Sequence, residues 1–228
     1  MEFGKIVKNF FQKVGFDVSY YNKNSNKWLI DLGINTVIDV GANEGQYASE
    51  IHSMLPQAKI YSFEPIKNCF DILSKTINGY GEAFNYGLGE ENKEVIFYHN
   101  ESSASSSILK MNDLHKDIFT YTKNEFEEKI YIKKLDDIKI ECNSNILLKI
   151  DVQGYEKQVL EGGINFLKKV KVVTLETNFF KLYEGAPLFN DIYIFLLNKG
   201  FTYSGSRYQL QNPNNGEILQ QDAIFIRK

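Results

Sequence analysis

The sequence predicts an α/β fold: a mostly parallel seven-stranded sheet with helices on both faces and a C-terminal antiparallel hairpin. Three observations predict it. Short β-branched runs alternate with segments of helical spacing from Thr36 to Gly200, the rhythm of βα units with right-handed crossovers. Several of the strand-like runs end in an acid and a turn, at Asp39-Val-Gly41, Glu64-Pro65 and Asp151-Val-Gln-Gly154, which gathers polar groups along one edge of a parallel sheet. The last two apolar runs flank the turn-rich Asn212-Pro-Asn-Asn-Gly216, the pattern of a hairpin.

The elements follow in order from local signals. Phe3, Ile6, Val7, Phe10, Phe11 and Val14 recur at helical spacing, with Lys5, Lys8 and Lys13 between them. This predicts a basic amphipathic helix packed on the domain edge, with a charged face that also suits a membrane surface or a partner. A short helix over 27–32 completes an N-terminal helical segment, 1–35. Strands are expected at 36–40, 59–63 and 83–86, with helices at 44–55, where Pro56 stops the chain, and at 66–78. The rhythm then breaks over 90–134. That insertion holds a strand-like 94–98, the serine run 102–107, a helix or loop to 128 and a strand at 129–133. It reads either as an acceptor-recognition element or as a surface excursion, since polar serine runs are common in linkers. The regular pattern resumes with strands at 146–150 and 170–175, helices at 155–167 and 188–199, and closing strands at 201–206 and 223–227. The whole chain, 1–228, is expected to be one domain.

Composition narrows the function. With 26 Lys+Arg against 29 Asp+Glu the formal net charge is −3, which gives no bulk attraction for nucleic acid or anionic lipid. No apolar run reaches the roughly 20 residues of a membrane span, so no stable membrane insertion is expected. Cys69 and Cys142 have no metal or redox spacing, and the expected setting is the cytoplasm. There is no G-x-x-x-x-G-K-[ST] loop, which excludes a P-loop enzyme, and the turn Gly41-x-x-x-Gly45 is not the dinucleotide fingerprint. The strand–turn–helix at 36–47 is expected to direct backbone N–H groups at a polar ligand.

The stretches Ile38-Asp-Val-Gly-Ala-Asn-Glu-Gly45, Phe63-Glu-Pro65, Asn85-Tyr-Gly-Leu-Gly89, Ser106-Ser-Ile-Leu109, Leu135-Asp-Asp137 and Leu148-Lys-Ile-Asp-Val-Gln-Gly-Tyr-Glu156 occur in this order. Together they resemble the FkbM family of class I S-adenosylmethionine-dependent methyltransferases, which have a Rossmann-like fold. The resemblance implies S-adenosyl-L-methionine as cofactor, S-adenosyl-L-homocysteine as product, and methylation of a hydroxyl on a sugar in a glycan or glycosylated metabolite. It implies a cofactor site built from Asp39, Gly41, Ala42, Asn43, Gly45, Tyr47, Glu64, Pro65, Ile66, Asn85, Gly87, Asp151 and Gln153. Gly41 and Gly45 would let the backbone approach the ligand where a Cβ would collide. Glu64 would accept hydrogen bonds from the ribose hydroxyls, Pro65 and Ile66 would sandwich the adenine, and Asn85 would reach its edge or serve only its own turn.

An alcohol's pKa lies far above neutral, so in-line methyl transfer needs a general base or a metal at the acceptor oxygen. Asp151 is the first candidate base, with cofactor or acceptor binding as its competing role. Lys149, on the same side of its strand, is expected to orient the acceptor or tune Asp151. Glu176 is an alternative base or acceptor ligand, and His99 a further candidate, with His115 beside it in the insertion. Glu156 is expected to brace its helix start. Tyr155, Phe179, Tyr183 and Tyr208 suit either a stacking wall for a sugar or the core. Glu176 and Asn178 resemble the acid–amide pair of metal-dependent O-methyltransferases, but a threonine separates them, and no metal ligands are assigned; a divalent metal stays a less favoured possibility. The rivals are a methyltransferase of RNA or of a small non-sugar metabolite, and a non-catalytic cofactor-binding module. The domain would also suit a larger glycan-modifying enzyme, and oligomeric state is left open.

Overall fold

The structure, a computed structural model, describes residues 27–100, 106–112, 125–142 and 144–228. The expected helix at 3–14, most of the serine run and His115 lie outside the described residues. A short helix α1 (Lys27–Asp31) leads into β1 (Thr36–Val40), α2 (Gln46–Met54), β2 (Lys59–Phe63), α3 (Lys67–Thr76) and β3 (Gly81–Phe84). After the insertion come β7 (Ile146–Ile150), α4 (Glu156–Glu161), β8 (Val170–Asn178), α5 (Phe189–Asn198), β9 (Phe201–Gln211) and β10 (Ile218–Arg227). They form a seven-stranded sheet in the order β3-β2-β1-β7-β8-β10-β9. All neighbours from β3 to β8 are parallel, while β10 runs antiparallel to both β8 and β9.

This order puts the strand-order reversal between β1 and β7, so their C-terminal ends flank the crevice where ligands bind in open α/β sheets. The central strands are apolar because both faces are covered. All five residues of β1 are buried. Val37 joins a core with Leu29, Ile51 and Leu73 from α1–α3, while Ile38 and Val40 join Leu160, Ile192 and Leu196 from α4 and α5 on the other face.

Several expected bounds change. β3 is Gly81–Phe84 rather than 83–86, because Asn85 turns out of the strand to donate to the carbonyls of Glu64 and Pro65, both at 3.0 Å. The helix expected at 155–167 stops at Glu161 and resumes only as a 3-10 turn at Phe166–Lys169. At Gly162 a Cβ would lie 1.9 Å from the Gly89 carbonyl oxygen, so this break carries a close backbone approach. β8 runs on to Asn178, where it pairs with Gln220. Both hairpin strands are longer than expected, because β9 and β10 stay paired as far as Gln211 and Ile218, β9 through largely exposed residues and β10 with Leu219 and Gln221 buried.

The insertion forms a second sheet. β4 (Gly87–Gly89), β5 (Lys93–Asn100) and β6 (Glu125–Lys134) pair in the order β4-β6-β5. Residues 106–112 cross from it to the main domain. Ser107 bridges Tyr98 of β5, and Met111 bridges Tyr183 in the loop after β8. Among the described residues, no helix is long and apolar enough to cross a membrane.

Candidate active site

The turn after β1 differs from the amide cradle expected of it. Its N–H groups point into the protein: Gly41 and Ala42 donate to the Phe63 carbonyl at 3.0 and 3.1 Å, Asn43 to Glu64 Oε2 at 2.9 Å, and Gly45 to the Ala42 carbonyl at 2.9 Å. The glycines also serve the protein before any ligand. A Cβ on Gly41 (φ 74°) would sit 1.9 Å from the Asp151 carbonyl oxygen, and one on Gly45 (φ 93°) would press on Thr76 and Leu73 at 3.0–3.1 Å. The expected collision with a cofactor is thus preceded by collisions between β1 and the end of β7, and between the turn and α3.

Around this turn lie two clefts. The first is a narrow cleft with a cavity volume of about 110 Å³. Gly41, Asn43, Glu64, Pro65, Ile66, Gly87, Asp151 and Gln153 of the expected set line it. The sequence reading missed its other wall, made by Phe97 of β5, Ser106 and Ile108 of the crossing segment, and Ile130 of β6. Glu64 is 5 % exposed. Its Oε2 accepts from Asn43 N–H and its Oε1 from Ile66 N–H at 2.8 Å. Burial pushes this carboxyl up to about 7, against the pull of those two amides. Asn85 lines neither cleft and braces the backbone at Glu64 and Pro65.

The second cleft opens over the ends of β7, β8, β10 and β9. Ala42 and Tyr47 of the expected cofactor set line it, with Lys149, Asp151 and Glu176 of the expected catalytic set. Glu50, Arg207, Tyr208 and Asp222 join them. Arg207 Nη2 meets Glu50 Oε1 at 3.0 Å, and the Tyr208 ring is 60 % exposed. Arg207 and Asp222 belong to no sequence motif and lie just outside the expected strands; the structure pairs Asp222 opposite Glu176. Gly41, Asn43 and Asp151 line both clefts, so the two meet at Asp151.

Beneath the meeting point Asp39 is fully buried and lines neither cleft. Lys149 Nζ lies 3.2 Å from Asp39 Oδ1, 3.6 Å from Asp151 Oδ2, and donates to the Gly41 carbonyl at 3.1 Å. Burial pushes the ammonium down, but the Asp39 and Asp151 carboxylates outweigh it and hold Lys149 above its ordinary value, cationic. Burial raises Asp39, with Lys149 opposing.

Asp151 is 44 % exposed at its side chain. Gln153 Nε2 donates to Asp151 Oδ1 and to Glu176 Oε2, both at 2.9 Å, and Tyr183 Oη donates to Gln153 Oε1 at 2.6 Å. Burial, then the charges of Asp151, Glu156 and Asp222, hold Glu176 well above the usual carboxylate range. Glu156 Oε1 accepts from the N–H groups of Val152 (3.2 Å) and Gly154 (3.0 Å), bracing the helix start as expected. His99 sits outside both linings and packs on Phe126, ring centroids 4.5 Å apart. Asn178 is buried and lines neither cleft, so it does not join Glu176 there. Of the four aromatics suggested as a wall, Tyr208 alone lines a cleft; Tyr155 is buried against β6 and bonded to Glu90, Tyr183 is buried, and Phe179 packs on Phe189. Among the described residues no group of three or more His, Cys, Asp or Glu is arranged to hold a metal ion.

The donor set has a clear preference. Amides around Gly41 are consumed, while the Glu64 and Asp151 carboxyls face the space beside it. That arrangement repels phosphate and suits a ligand with positive charge and hydroxyl donors. S-adenosylmethionine fits: it carries an ammonium, a sulfonium and ribose hydroxyls, and its adenine suits the apolar walls of Pro65, Ile66, Phe97 and Ile130.

Comparison with known proteins agrees. The methyltransferase FkbM domain matches residues 39–203. The 2-O-methyltransferase NoeI of Sinorhizobium fredii is 23% identical over 167 residues, 69% of this chain and 69% of that protein. The hexuronic acid methyltransferase AglP of Haloferax volcanii is 26% identical over 141 residues, 60% of this chain and 54% of that protein. Among solved structures, a TehB-like SAM-dependent methyltransferase of Corynebacterium glutamicum is similar at TM-score 0.47 and 9% identity, covering 100% of this chain and 97% of that one. With the domain matched over most of its length, the chain belongs to the FkbM methyltransferase family and is an S-adenosylmethionine-dependent methyltransferase.

Proposed function

We propose that the protein methylates a sugar hydroxyl, with the cofactor in the first cleft, the acceptor in the second, and Asp151 as general base between them. The observation that carries this reading is that the two clefts meet at a half-open carboxylate. The names of two relatives, a 2-O-methyltransferase and a hexuronic acid methyltransferase, support a sugar acceptor.

S-adenosylmethionine, when bound, supplies an electrophilic methyl group. Glu64 holds the ribose hydroxyls through the lone pairs left after Asn43 and Ile66 have donated to it. Pro65, Ile66 and Phe97 enclose the adenine. Asp151 accepts the acceptor hydroxyl's proton on the oxygen that Gln153 leaves free, as that hydroxyl turns nucleophilic. Lys149 fixes the Gly41 turn to the β7 end, so donor and base keep one geometry. The exposed Tyr208 ring gives a sugar an apolar face to lie on, and Asp222 and Arg207 offer an acceptor and donors to its hydroxyls.

The test is incubation with methyl-labelled cofactor and a panel of methyl glycosides and glycans, read by mass spectrometry. Label on a sugar hydroxyl is expected; label only on RNA or a non-sugar metabolite refutes the acceptor class. Asp151→Asn should lower turnover by roughly 10²-fold or more while S-adenosylhomocysteine affinity stays within about threefold. Full turnover in that variant removes Asp151 as base.

A further inference from the structure

Gln153 was expected to touch the cofactor, yet its polar atoms are already spoken for. Its backbone is left-handed (φ 55°), rare for a residue with a side chain. Ser107 Oγ, itself bonded to Leu109 N–H at 2.9 Å, donates to the Gln153 carbonyl at 2.6 Å and holds that turn. The amide orientation is dictated by chemistry. Tyr183 donates to Oε1, so Nε2 must point the other way, and its two hydrogens meet two carboxyls: Asp151 Oδ1 and Glu176 Oε2.

We propose that Gln153 is a positioning residue: its amide cross-links the Asp151 and Glu176 carboxyls of neighbouring strands and leaves Asp151 one oxygen for the acceptor hydroxyl. This rests on the reading of Asp151 as base. Glutamine suits the place better than any charged residue. Asp151 is faced by Lys149 on its own strand, Asp39 on β1, Glu156 on α4, Glu176 on β8 and Asp222 on β10. A neutral group with two donors holds two of these carboxyls together without adding to their repulsion. A glutamate there would add a charge, and an asparagine is one methylene too short to span the pair. Free rotation of Asp151 would cost orientation toward the acceptor, which is where misplacement lowers turnover.

The test uses Gln153→Met, which keeps the length and removes every polar atom, with Tyr183→Phe as a second variant that removes only the group orienting the amide. Calorimetry with S-adenosylhomocysteine should give affinity within about threefold of the parent for both. Carboxyl ¹³C NMR should show the Glu176 titration moving upward by about half a unit or more in Gln153→Met, because its ionised form has lost a donor. On whichever methyl glycoside the parent methylates, kcat should fall by roughly 10²-fold with KM for the cofactor unchanged. If Gln153→Met does not fold, Tyr183→Phe carries the same readouts with smaller changes of the same sign. A tenfold or greater loss of S-adenosylhomocysteine affinity with the Glu176 titration unmoved overturns the proposal and returns Gln153 to the cofactor. If the titration moves but Asp151→Asn keeps full turnover, the cross-link stands and the base assignment fails. If Asp151→Asn is inactive and the titration does not move, the cross-link fails and the base assignment stands.

Discussion

Gly41→Ala separates two accounts of the glycine turn. If the glycine exists to admit a ligand, the variant folds normally and loses cofactor affinity, as the sequence motif alone would suggest. The structure gives the opposite expectation, because the added Cβ falls 1.9 Å from the Asp151 carbonyl oxygen, a backbone atom that no rotamer change can move. Two costs then add. Holding a residue with a Cβ at φ 74° costs about 1–2 kcal/mol. Forcing β1 and the β7 end apart costs about 1–3 kcal/mol on the scale of overpacked cores. Gly79→Ala isolates the first cost: its φ is 96° and nothing lies within 4 Å of the new Cβ. Urea denaturation should therefore show Gly79→Ala down by about 1 kcal/mol and Gly41→Ala down by about 2–5 kcal/mol, a large share of the ~5–15 kcal/mol that a domain has. Equal losses for the two variants, or a fully stable Gly41→Ala with weakened S-adenosylhomocysteine binding, would refute the reasoning.

Lys149→Met leaves Asp39 buried without its counter-charge; stability should fall by about 3–5 kcal/mol, more at alkaline than at acid pH because protonation relieves Asp39, and urea curves at two pH values read both effects. Glu64 and Glu156 are each pushed up to about 7 in the fold, so between an ordinary carboxyl pKa and that value the native state binds more protons than the unfolded chain. Their contribution is therefore fully present only below the ordinary carboxyl pKa and is lost progressively as pH rises from there through about 7, on the order of 1–3 kcal/mol per group; stability that climbs steadily from pH 5 to 8 would contradict it. Binding of S-adenosylhomocysteine should ionise Glu64 and release part of a proton near pH 6.5, seen by calorimetry in buffers of different ionisation enthalpy. Glu64→Ala should abolish that release and weaken binding by about tenfold or more; unchanged affinity would place the ribose elsewhere.

The parallel half of the fold was legible because it is locally written. β1, β2 and β7 have the expected bounds, since strands buried on both faces are continuous apolar runs, as in Thr36-Val-Ile-Asp-Val40. The misjudged bounds share a cause: pairing and packing with distant partners. Gly162 breaks α4 for the sake of the Gly89 carbonyl, and nothing near it in sequence announces that contact. The end of β9 is largely exposed and is held to β10 mainly by backbone pairing, and backbone pairing leaves no side-chain pattern.

The same division runs through the site. Strand-end acids were legible as residues: Glu64 lines the first cleft and Asp151 lines both. Their environments were not. The motif around Gly41 suggested amides offered to a polar ligand, yet hydrogen bonds to Phe63 and Glu64 consume them and leave carboxyls facing the cleft. The crossing segment shows the limit most clearly. The insertion with its serine run read either as an acceptor-recognition element or as a surface excursion; Ser106 and Ile108 wall the first cleft while Ser107 grips the Gln153 carbonyl and pairs with Tyr98. Met111 and Asn112 then pair with the loop at 182–183, the same loop that supplies the Tyr183 hydroxyl to Gln153. One stretch of chain thus ties the wall of the first cleft to the amide that spans Asp151 and Glu176. Small hydroxyl residues suit that path because a short side chain lets the backbone pass close to Gln153 and still donate to it.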